Sequence, residues 1–122
     1  LRQGRADVFE TKQFLRDKPE CKHATQSGPM LVIDGELHPR FLRDSTSRYT
    51  RNGVATSEDG RRAVFVISNT RVTFYEMGSF VRDVLKLPQA LYFDGNVSRI
   101  YAPSLNRDDK GFLLGPIIGV VE

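Results

Sequence analysis

The chain has 122 residues, 39% hydrophobic and 27% charged, enough for one domain with a modest core and too few for two ordinary ones. Its net charge is +3 and thirteen of its 18 cations are Arg, whose guanidinium forks bind carboxylate and phosphate oxygens bidentately. The longest apolar stretch, 115–121, falls far short of the ~20 residues a membrane helix needs, and one Cys excludes both an internal disulfide framework and a CxxC-type metal site.

In chain order, the first predicted element is a helix over Thr11–Lys18, stopped by Pro19, with Phe14 and Leu15 toward the core. Cys21 and His23 share a face of any extended segment, but no activating surroundings accompany them, so a structural pair is expected rather than a nucleophile and its base. No His or Cys spacing supplies a metal site, and no cofactor is implied. Thr25-Gln26-Ser27-Gly28-Pro29 then combines two hydroxyls, an amide and a turn-forming Gly-Pro, suited to the rim of a polar site or to a simple bend.

Three Asp-Gly dipeptides follow, each a strong hairpin signal between possible strands. Asp34-Gly35 joins Met30–Ile33 to Glu36–His38, and Asp59-Gly60 joins Asn52–Ser57 to Arg62–Ser68, whose centre Ala63–Ile67 reads as a buried strand. Between these hairpins, Arg40–Thr50 is a polar loop. It leads into Arg48 and Arg51, which stand on either side of Tyr49. A spacing of three in an extended chain puts them on opposite faces, so one of them points into a site and the other is solvated.

Thr73 and Glu76 form a capping-box pattern at the start of a helix that ends near Lys86, with Phe74, Met77, Val81, Val84 and Leu85 on its inner face. Ala90–Phe93 is the next strand, ending at Asp94-Gly95. Val97–Tyr101 is another, Pro103–Gly111 is a loop, and 116–121 is a last strand candidate. The expected fold is α+β: a largely antiparallel or mixed sheet with two helices packed on it. Asp94 closes a strand expected to be central, just before a glycine, and reads either as a catalytic carboxylate or as a turn residue. Glu76 has the same double reading, since the capping box already accounts for it. No helix carries a basic face, which argues against nucleic-acid binding.

Gln26–Leu31, Arg51-Asn52-Gly53-Val54-Ala55, Thr73–Val81 with Glu76, and Ala90–Ser98 together resemble, in order and spacing, the phosphodiester glycosidase family. That family includes N-acetylglucosamine-1-phosphodiester hydrolases and exported bacterial proteins linked to exopolysaccharide. Its Asp-Gly-Gly-Gly-Ser signature is met by Asp94, Gly95 and Ser98, with Asn96 and Val97 in place of the middle glycines. The resemblance implies one domain over 1–122, the C-terminal part of a longer family domain, whose open sheet edges would pair with a further segment or a second chain. It further implies hydrolysis of a sugar-1-phosphodiester outside the cytoplasm, in the periplasm or after secretion, by a chain whose signal is absent here. Asp94 and Glu76 would be the acids and Arg51, with Asn52, the phosphate-neutralising groups. Ser27, Ser98 and Asn96 would bond sugar or phosphate, and Gly28 and Gly95 would admit close backbone approach. The alternative is a carbohydrate- or phosphate-binding domain without catalysis.

Overall fold

Asp34 and Gly35 both adopt positive φ, 50° and 82°, the conformation a tight two-residue hairpin demands. They join β1 (Met30–Ile33) to β2 (Glu36–Leu37). The computed structural model describes residues 1–2, 4–93 and 95–120. Its main sheet adds β3 (Asn52–Thr56), β4 (Ala63–Ile67) and β5 (Gln89–Tyr92), in the order β2-β1-β5-β3-β4. Every pairing is antiparallel. The fold is therefore α+β, and β5 is the central strand, as expected.

One face of the sheet is covered by α2 (Phe74–Ser79) and a π-helical continuation, Phe80–Leu85. Thr73 caps α2 through its hydroxyl while the Glu76 carboxylate returns to the Thr73 N–H, the reciprocal box read from the sequence. Met77 and Val81 bury against Leu31, Ala55 and Tyr92. Val84, expected on the same face, is 64% exposed. The reason is the winding: in i→i+5 geometry the inner stripe advances differently, so Leu85 stays against the core and Val84 turns outward. Lys86, at φ 54°, ends the element by donating its N–H to the Val81 carbonyl.

Other expectations are corrected. Strand β4 lies at the sheet edge and is only half covered: Val64 and Val66 pack on the core, while Phe65 faces outward beside Phe93. An unbroken apolar run reads as two-faced burial, but here alternation across one edge strand divides it. Helix α1 (Thr11–Asp17) forms where predicted but buries no residue. Leu15 points to solvent, and Phe14 packs edge-on against Phe9. Val97–Tyr101 forms no hairpin with β5, whose partners are β1 and β3. Instead β6 (Tyr101–Ala102) pairs with β7 (Arg107–Asp108) around a 3₁₀ turn inside the predicted loop. Residues 116–120 form no strand, and the last of that predicted stretch, Val121, lies outside the described residues.

Candidate functional site

The centre of the site is set by which way Arg51 points. It immediately precedes β3, and its side chain lies on the helix-covered side of the sheet, only 2% exposed. Its Cζ stands 3.6 Å from the ring centroid of Phe74, 5.3 Å from that of Tyr49 and 5.5 Å from that of Tyr92. Nε donates to the Val72 carbonyl at 2.9 Å and Nη2 to the Ser47 carbonyl at 3.0 Å. No carboxylate among the described residues pairs with it, and Nη1 has no acceptor among them. Burying a cation costs free energy that three aromatic faces and two carbonyls offset in part. Among the described residues the donor is unspent and the charge has no carboxylate beside it, a pairing that an anion would complete.

Arg48 takes the opposite course, as the spacing of three predicts. It is half-exposed and grips Glu76 with both terminal nitrogens, each at 2.8 Å. Glu76 also accepts from the Thr73 N–H at 2.8 Å. That backbone bond first, and the Arg48 guanidinium second, hold its carboxyl below the usual glutamate range. Glu76 is therefore ionised at neutral pH, its oxygens engaged by Arg48 and the Thr73 N–H, a state unsuited to donating a proton. The Arg48–Glu76 pair also straps loop 40–50 to the start of α2, next to Phe74 and Arg51.

The carboxyl end of β5 gathers several other predicted residues. Ser27 donates its hydroxyl to the Tyr92 carbonyl at 2.7 Å, and the Phe93 N–H bonds the Asn52 carbonyl at 3.3 Å. Tyr92 donates its phenol to the Gly95 carbonyl. Gly95 has φ 102°, a conformation that favours glycine. Asp94, which falls between these residues, lies outside the described residues. Asn52 donates to the Ser98 hydroxyl at 2.6 Å, which in turn donates to the Thr50 carbonyl at 3.2 Å.

Successive residues of a strand face opposite ways, so Asn52 and Ser98 sit across the sheet from the Arg51 guanidinium. The structure unites them at one strand end but not on one face. Asn96 is exposed, and Gly28 stands before Pro29 with nothing within 4 Å of where a Cβ would lie. The aromatic surroundings of Arg51 escaped the sequence reading, although Tyr49 between two arginines was the available signal. A cavity of about 460 Å³ opens at the other end of the sheet, between Thr56, Gln89 and the Arg2–Asp7 arm, and holds none of the predicted site residues.

The family model described as phosphodiester glycosidase matches residues 1–120. Protein YigE of Escherichia coli (strain K12), whose description is uncharacterized, is 36% identical over 97 residues, which are 80% of this chain and 35% of YigE. The chain thus spans about a third of that relative's length. No solved structure matches it.

Proposed function

This chain belongs to the phosphodiester glycosidase family, and from that premise we propose that it hydrolyses a sugar-1-phosphodiester. The bond from the anomeric carbon to the phosphate oxygen breaks, the oxygen of a water molecule takes its place on that carbon, and a free sugar and a phosphomonoester leave. The observation that carries the reading is the guanidinium of Arg51, buried without a carboxylate partner among the described residues at the end of the central strand. A phosphodiester anion supplies the missing charge, and Nη1 supplies the bond to it.

The division of labour follows from these environments. A phosphate is a better leaving group than a sugar alkoxide and needs little protonation, so charge neutralisation by Arg51 does much of what an acid does in ordinary glycoside cleavage. Asp94 acts at the reacting carbon as nucleophile or as the base that activates water. Glu76, kept ionised, has its charge balanced by Arg48, and through that pair it holds loop 40–50 in place beside Arg51. Ser27 ties down the end of β5, and Asn52 with Ser98 fixes the start of β3, so the hydroxyls and amide of these residues serve the fold as well as the sugar. We place the reaction outside the cytoplasm, which cell fractionation checks.

The deciding experiment is Asp94→Asn in the full-length protein, assayed on an aryl phosphodiester of a hexose 1-phosphate. Release of free sugar by the wild type, lost in the variant while hexose 1-phosphate still binds, supports hydrolysis. Binding without release in the wild type selects a phosphoglycan-binding domain. That outcome would agree with Asn96 and Val97 standing where the family has glycines.

A further inference from the structure

Of the three rings around Arg51, two are occupied within the fold. Tyr92 is 4% exposed, and Phe74 is stacked on Phe41 at 5.1 Å with an 8° interplanar angle. Tyr49 is different: 39% of its surface meets solvent. Its backbone is nevertheless fixed, because its N–H and carbonyl both pair with Val72, at 3.1 and 2.9 Å. Arg48 beside it is tied to Glu76, and Arg51 two residues on is locked in the core. An exposed aromatic ring on immobilised backbone, next to a buried cation, is not a mobile surface tyrosine.

We propose that Tyr49 is the saccharide-binding wall of the site, the surface on which the pyranose of the substrate is stacked. The proposal rests on the hydrolase reading above and extends it to the sugar. A pyranose presents a flat face of C–H groups with hydroxyls around its rim, and an aromatic ring buries that face at little entropic cost. Arg51 Cζ stands over one face of the Tyr49 ring, 5.3 Å from its centroid, so the sugar takes the other face. Its anomeric phosphate then passes the ring edge toward the guanidinium. Tyr49 binds the sugar and touches no reacting atom in this arrangement, so its loss raises KM and leaves kcat nearly unchanged.

The test titrates the full-length wild type, Tyr49→Ala and Tyr49→Phe with a hexose 1-phosphate and, separately, with inorganic phosphate, with thermal unfolding confirming that each variant is folded. Tyr49→Ala is expected to weaken the hexose 1-phosphate by about tenfold and leave inorganic phosphate unchanged, while Tyr49→Phe, which keeps the ring, restores the wild-type value. Equal loss of both probes would mean that Tyr49 only shields Arg51, and no loss of either would mean that the sugar lies elsewhere. Both results overturn the proposal while the hydrolase reading stands. A wild type that binds neither probe and releases no sugar overturns the hydrolase reading itself.

Discussion

The guanidinium of Arg51 lies 3.6 Å from the ring centroid of Phe74, which places a permanent cation against the first turn of α2. The contact joins the sheet to the helix at the end of the molecule where β5 finishes. It also explains why Arg is required there. The flat group stacks on a ring while its nitrogens reach two carbonyls at fixed angles, and an ammonium does neither.

Arg51→Lys is accordingly expected to lower stability by about 1–3 kcal/mol, read as a shift in the urea midpoint, because the Val72 and Ser47 carbonyls cannot both be kept by one amine. The same variant should bind hexose 1-phosphate more weakly than its stability loss explains when assayed well below its unfolding midpoint. Wild-type binding in a destabilised Arg51→Lys would mean that the arginine holds loop 40–50 and does nothing for the ligand.

What the sequence made legible were features governed by local chemistry. Asp34-Gly35 must turn because both positions tolerate positive φ, and Thr73 with Glu76 must start a helix because each satisfies the other's backbone. The opposite fates of Arg48 and Arg51 followed from alternation. Long-range matters were not legible. Ala63–Ile67 has the composition of a buried strand, but nothing in five apolar residues says that only one neighbour will pair with it. Val84 left the inner stripe because six residues took a wider winding, a choice with no signature in the hydrophobic pattern. Leu15 belongs to a helix too short to bury a face of its own. For the site, residue types and order pointed to Arg51 and to the end of β5. That Asn52 faces away from the guanidinium follows from the same alternation, but that Ser98, 46 residues on, would meet it there needed the folded chain.

The Glu76 carboxyl sits below its ordinary range, held by the Thr73 N–H and then by Arg48. A folded value depressed below the unfolded one, about 4.3, means that this contribution to stability is fully present above the unfolded value. It disappears as pH falls through the folded value. Glu76→Gln is therefore expected to be less stable than wild type near pH 7, with the two unfolding midpoints converging as pH drops below about 4. Asp7, Asp59, Asp83 and Asp109 are lowered in both proteins, so the difference between the two curves isolates Glu76. A gap that persists unchanged into acid would assign the loss to the amide's fit in the cap.

Gly53 is where the sheet has the least room. It pairs with Val66 on one side and Tyr92 on the other, and a Cβ built there falls 2.5 Å from the Leu91 carbonyl oxygen and 3.4 Å from Leu31 Cδ1. The oxygen belongs to the backbone of the central strand and cannot swing away as a side chain would, so Gly53→Ala must push β5 aside or tilt β3. The expected cost is about 1–3 kcal/mol in urea unfolding. Because β5 carries Tyr92 and leads directly to Asp94, the displacement should also lower sugar release in the fraction that remains folded. Gly28→Ala is the matched control for stability: nothing lies within 4 Å of the added carbon, and no positive φ opposes it, so it should leave the unfolding midpoint unchanged. A Gly53→Ala protein with the wild-type midpoint would show that the β3–β5 pairing can slide without cost.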